Sequence, residues 1–207
     1  MPRPKTLSDG DVVRAVARVL LRVGPARFTL ADVAAEAGLS PATLVQRFGS
    51  KRGVMLAFAR ASAAEAAAPF ERARGAISSP LGALRRALAD TAAELRSRQE
   101  VANSLAVLLD DITDDEMRAA AALHADATEA AIRALLDEAV AAGELHAGDT
   151  AQLALSVQAA WNGAIIQWAI RGTGTFGSFL ARVLAPLLPG GATAGAVRPP
   201  SSRRKKA

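Results

Sequence analysis

Residues 28–51 read FTLADVAAEAGLSPATLVQRFGSK, and this stretch decides the fold. Thr29 with Asp32 three residues on forms a capping pair, and Phe28 and Val33 are placed to staple the entry of a helix. Leu30, Val33, Ala34 and Ala37 recur at helical spacing, and Gly38 ends the run where a left-handed backbone is cheapest. Ser40 and Pro41 start a second helix at once, as N-cap and first helical residue. Leu44 and Phe48 give that helix its buried side, and Ala34 is small enough to let the two helices cross closely. Two short helices about the turn Gly38-Leu39-Ser40 are the pattern of a helix-turn-helix, whose second helix enters the DNA major groove.

The run TLADVAAEAGLSPATLVQRFGSK, about 23 residues, resembles the DNA-binding segment of the TetR family of bacterial transcriptional regulators, with caps, turn glycine, aromatic and lysine in register. One position departs: the family usually carries an aromatic, most often Tyr, where this chain has Val45, whose methyls cannot donate to a phosphate. A softer resemblance lies in AVAAGELHAGDTAQLALSVQAAWNGAIIQWAI, where family members end a helix at a Gly-Glu-Leu turn and pack the next helix in the dimer. The resemblance implies an all-α protein with a three-helix helix-turn-helix domain and a helical ligand-binding and dimerisation domain. It also implies a homodimer that binds a palindromic double-stranded operator and is released by a small apolar effector, hence a repressor. The corresponding boundaries are 1–50 for the DNA-binding domain and 51–188 for the body, with 189–207 as a disordered basic tail.

Charge is divided in the same way. Residues 1–60 hold ten Lys/Arg against four Asp/Glu, residues 61–188 ten against sixteen, and residues 189–207 five against none. The sums, +6, −6 and +5, return the formal net charge of +5. A basic N-terminal unit on an acidic body is what a DNA reader with a non-DNA-binding remainder shows. Cysteine is absent, so neither disulfides nor thiolate zinc sites are available. No apolar run follows MPRPK, and no segment approaches ~20 uninterrupted apolar residues, so neither secretion nor a membrane partner is expected.

Ser8 and Asp11 are placed to cap a first helix carrying Val12, Val13, Val16, Leu20 and Val23 inward and stopping at Gly24-Pro25. Arg14, Arg18 and Arg22 share one face of it, which is unfavourable unless a polyanion or acidic side chains meet them. Arg3 and Lys5 of the preceding arm either fray or touch DNA. Gly49-Ser50 break and recap the chain before a long helix from Lys51, a cation at a helix start that makes most sense beside a phosphate. The body reads as helices over about 51–73, 80–99, 101–111, 114–142, 150–171 and 175–188.

Other constellations carry little chemistry. Gly172-Thr-Gly-Thr-Phe-Gly177 spells a dinucleotide-binding pattern, but it follows a helix rather than a strand. Asp110, Asp111, Asp114, Asp115 and Glu116 lack a calcium-loop glycine and fall where acids cap helices, so no metal is expected. His124 and His146 have no partners for a zinc site or a catalytic triad, and neither a cofactor nor an enzymatic activity is expected.

The expected DNA-binding residues are Thr29, Ser40, Pro41, Ala42, Thr43, Gln46, Arg47 and Lys51. Pro41, Ala42, Thr43 and Gln46 face base edges or nearby phosphates, while Arg47 and Lys51 bind backbone. An apolar pocket is expected around Leu88, Leu105, Leu108, Met117, His124, Trp161 and Asn162, each of which is equally acceptable as core. Trp161, Ile165, Trp168, Phe179 and Val183 of the last two helices are expected at the dimer interface. The alternatives are a helical small-molecule binder or enzyme with no DNA role, and an architectural DNA protein that ignores small molecules. Salt-sensitive retention on heparin separates the first of these from a DNA reader.

Overall fold

The computed structural model describes residues 7–189, which form ten α-helices and no strand. Arg3 and Lys5, and the expected basic tail beyond Pro189, lie outside the described residues. No helix among the described residues is long and apolar enough to cross a membrane.

Helix α1 (Asp9–Val23) opens on a capping box: Ser8 Oγ accepts from the Asp11 N–H at 3.2 Å while the Asp11 carboxylate accepts from the Ser8 N–H at 3.0 Å. Its inward stripe, Val12, Val16, Val19 and Leu20, forms one core with Phe28, Val33, Leu44 and Val54 from α2 (Leu30–Ala37), α3 (Pro41–Phe48) and α4 (Lys51–Ala64) and the loop before α2. Helices α2 and α3 have eight residues each, too short to persist alone. Burial of Val33 and Leu44, about 1.5–3 kcal/mol for each such side chain, holds them in place. A second core gathers α6 (Pro80–Ala93), α8 (Asp115–Ala141), α9 (Thr150–Arg171) and α10 (Phe176–Leu184) about Leu84, Ile132, Leu136, Val157 and Leu180.

The expected helix 51–73 is two helices. The helix is interrupted by a turn over residues 65–67, and α5 (Ala68–Ala76) follows with Pro69 in its first turn. Pro69 has no N–H to give, and its ring would collide with the carbonyl four residues back, so a single helix cannot pass through it. The segments 80–99 and 101–111 divide differently as well. Helix α6 ends at Ala93, and Ser97 with Glu100 forms a second capping box that starts α7 (Arg98–Thr113) ahead of the expected position. Helix α10 ends at Leu184, four residues short of the expected end, as the chain turns towards Pro189.

Met117 is a correction. It sits on the first turn of α8 but is buried in the N-terminal core with Val54 and Met55, so it joins the two parts of the molecule rather than lining a pocket. Trp168, expected at the dimer interface, is at 5% exposure inside the protomer, its ring 5.9 Å from that of Phe176 in an edge-to-face pair.

Candidate nucleic-acid interface and interior cavity

Leu44 is fully buried, and this rotates the opposite side of α3 into solvent. Ala42, Val45 and Gln46 are exposed on that side, with Pro41 exposed at its edge. Ser40 Oγ accepts from the Thr43 N–H at 3.1 Å and lies 2.9 Å from Thr43 Oγ1, so both hydroxyls are engaged in starting the helix. Thr29 does the same for α2, accepting from the Asp32 N–H at 3.1 Å and donating to its carboxylate at 2.6 Å.

The two cations expected on the DNA backbone are placed differently. Lys51, exposed at the start of α4, donates to the Pro25 carbonyl at 3.4 Å with its Nζ 5.6 Å from the Phe28 ring centre. Arg47 is turned back onto the start of α1, donating to the Leu7 carbonyl at 3.0 Å and pairing with Asp9. In this conformation it ties α3 to α1 instead of reaching outward, because Asp9 supplies the nearest carboxylate. The arginine row on α1 is met internally by two carboxylates. Arg14 pairs with Asp11 at 2.6 Å, and Arg18 and Arg22 share Glu36 of α2 at 2.7 and 3.0 Å. Those two hydrogen bonds hold the Glu36 carboxyl below its ordinary pKa, so their contribution is present above the usual carboxylate range and is lost as pH falls through it.

Two further connections, neither legible in the sequence, join this unit to the body. Asn103 of α7 is buried, donates to the Leu21 carbonyl at 2.8 Å and accepts from Gln99 at 2.9 Å. It lies against buried Gly24, where an added Cβ would stand 2.6 Å from Asn103 Oδ1 and where φ is +75°. The one visible trace is the polar pair Asn103-Ser104 inside the apolar run VANSLAV. The second connection is Arg52, next to Lys51. It grips Asp114 with two hydrogen bonds of 2.9 Å and reaches Glu116 at 2.7 Å. Asp114 is simultaneously the N-cap of α8, accepting from the N–H groups of Glu116 and Met117. Asp114, Asp115 and Glu116 of the acidic cluster are thus taken up by a cap and ion pairs, Asp115 going to Arg118, and no group of carboxylates among the described residues converges as a metal site.

The face of α7 away from Asn103 borders a cavity of about 520 Å³ between α4, α5, α6, α8 and α9. That volume is typical for a drug-sized ligand. Leu88, Leu105, Leu108, His124, Trp161 and Asn162 all line it, as does Ile165, which was expected at the dimer interface. Phe58, Phe70, Asp111 and Thr128 also line it and were not expected. Desolvation, reinforced by Asp110 and Asp114, pushes the Asp111 carboxyl up to about 6, while partial burial lowers the His124 imidazole below its ordinary value. Thr128 Oγ1 is buried with no hydrogen-bond partner among the described residues.

On α9, Leu155, Ile166 and Ile170 are exposed, Ile170 to 71%, in a row at helical spacing, with Ile166 also at the rim of the cavity. Phe179 and Val183 of α10 are half-buried, and Trp161 is half-buried with its ring 5.6 Å from that of Phe176.

Residues 12–58 match the model of the bacterial regulatory proteins of the tetR family. No curated protein matches the sequence. Among solved structures, a TetR-family transcriptional regulator from Agrobacterium tumefaciens superposes with a TM-score of 0.68 at 19% identity, over 87% of this chain and 95% of that one. The regulator FadR from Bacillus subtilis, in complex with stearoyl-CoA, gives 0.66 at 13% identity over 88% and 99% of the two chains. SmeT, the repressor of the Stenotrophomonas maltophilia multidrug efflux pump SmeDEF, gives 0.62 at 20% over 95% and 98%. At such identities the likeness carries the fold.

Proposed function

We propose that the chain, whose residues 12–58 match the tetR family model, is a regulator of that family: a cytoplasmic, homodimeric repressor that leaves its palindromic operator when a small molecule fills the cavity. The observation that carries this reading is α7. One face of that helix holds the end of α1 through Asn103, and the other lines the cavity through Leu105, Leu108 and Asp111. A ligand that shifts α7 therefore acts on the helix-turn-helix through a packed, hydrogen-bonded contact.

On this reading the exposed side of α3 docks in the major groove, with Pro41, Ala42, Thr43 and Gln46 at base edges or adjacent phosphates. Thr29 and Ser40 position the helices by capping them. Lys51 stands at a helix N-terminus that also offers N–H groups to a phosphate. Arg47 would reach the backbone only after leaving Asp9. The DNA-reading unit extends through α4, whose buried residues belong to the N-terminal core. Lys51→Ala is expected to weaken binding to a selected operator and to scrambled duplexes by a similar factor, and to reduce the salt slope by about one. Loss confined to the preferred sequence, measured by fluorescence anisotropy across salt, would instead make Lys51 a base reader.

Arg52 is assigned the second route of transmission, from the end of α7 to the start of α4. The pair is solvent-exposed, so its static contribution is small. Its role is coupling. Arg52→Ala is expected to leave ligand-free operator affinity within a fewfold and to cut the ligand-induced change in that affinity by roughly threefold or more. An undiminished ligand response in the variant rules the route out.

A further inference from the structure

We propose that the cavity selects a lipophilic organic cation, held by the Asp111 carboxylate and by aromatic faces, over an anion of equal size and shape. The proposal rests on the reading of this cavity as the effector site and adds the charge class of the effector. Among the lining residues the acids are Glu65 and Asp111, and no lysine or arginine is present. His124 is the remaining ionisable group there, and burial disfavours its charged form. An anion entering this space meets two carboxylates and no compensating charge. A cation meets both of them together with the rings of Phe58, Phe70 and Trp161.

Asp111 carries the argument further. It is half-buried at the cavity wall, and each influence on its ionisation opposes the charged form: desolvation first, then Asp110, then Asp114. The cations nearby are engaged elsewhere, Arg52 by Asp114 and Glu116, and Arg118 by Asp115 and the Ile112 carbonyl. Such a carboxylate costs stability when ionised, and a cation of the right size removes the penalty. The sign follows from its raised pKa: protonated Asp111 favours the folded state, and that contribution is lost as pH rises from about 4 through about 6. Asp111→Asn should therefore be no less stable than the parent at pH 8. The acidic body, ten Lys/Arg against sixteen Asp/Glu over residues 61–188, also favours approach of a cation.

Tetraphenylphosphonium and tetraphenylborate share one shape and carry opposite charges, which isolates the electrostatic term. Titration calorimetry of the full chain at pH 8 should show the phosphonium binding about tenfold or more tightly than the borate. In Asp111→Asn the phosphonium affinity should fall about tenfold, Glu65→Gln should lose less, and neutral triphenylphosphine oxide should bind parent and variants alike. The phosphonium should also bind the parent more weakly at pH 5 than at pH 8, a difference absent from Asp111→Asn. Equal or tighter borate binding, no binding of either probe, or a phosphonium affinity indifferent to Asp111→Asn overturns the proposal. The regulatory reading is judged separately, by operator binding with and without probe. Phosphonium that binds as expected but leaves DNA affinity unchanged refutes the regulator and keeps the cation site. Release of DNA by borate or oxide alone does the reverse.

Discussion

Gly53→Ala is expected to unfold the junction between the recognition helix and α4 and to abolish operator binding. Gly53 sits in the first turn of α4, its N–H donating to Ser50 Oγ at 3.0 Å. A Cβ built there lies 1.9 Å from the carbonyl oxygen of Phe48, the last residue of α3. Helix propensity alone would make Ala better than Gly by about 1 kcal/mol. The clash wins, because the obstructing atom is backbone and moves only if α3 tilts against α4. Overpacking of this kind costs about 3 kcal/mol or more, which for a chain of this length lowers Tm by roughly 10 °C. Thermal unfolding followed by circular dichroism gives the first readout and operator titration the second. A variant as stable as the parent, binding DNA normally, would mean that the α3–α4 approach is looser than it stands here.

The second large effect concerns assembly. Leu155 and Ile170 stand near opposite ends of the exposed apolar row on α9, and neither lines the cavity. Changing both to Glu places like charges on a face that, in the proposed dimer, meets its own copy about a twofold axis. The double variant should run as a monomer by light scattering with helical content close to the parent, since both side chains are exposed in the protomer, and with a Tm lowered only by the lost stabilisation of the dimer. A monomer holds one half-site, and loss of the linked second site should reduce operator affinity about a hundredfold or more. Trp168→Ala makes the contrast. That residue lies in the protomer core, and its truncation should cost about 3–5 kcal/mol and unfold the chain before any dimer effect is seen. A folded dimer in the Leu155→Glu, Ile170→Glu protein would move the interface to another face.

The helix-turn-helix was legible because its signals are local. Thr29, Gly38, Ser40 and Pro41 act on their own backbone within a few residues, and Leu44 has one apolar side to turn inward. The same locality made the all-helical body and most of its breaks readable, and the missed ones, at Pro69 and at Ser97 with Glu100, were present in the sequence as turn chemistry. Tertiary structure alone decided which apolar residues face what. Met117, Trp168 and Leu105 are all large side chains on apolar helix stripes, yet one joins the two cores, one fills the protomer and one lines the cavity. It also decided which charges are already satisfied. Arg18 and Arg22 found Glu36, Arg47 found Asp9 and Arg52 found Asp114 across separations that no periodicity encodes, whereas Asp111 was left beside an open cavity without a cation. Helix period and capping act over a few residues of chain, whereas cavities and ion pairs depend on how helices distant in sequence cross, and that is set by packing the whole core at once.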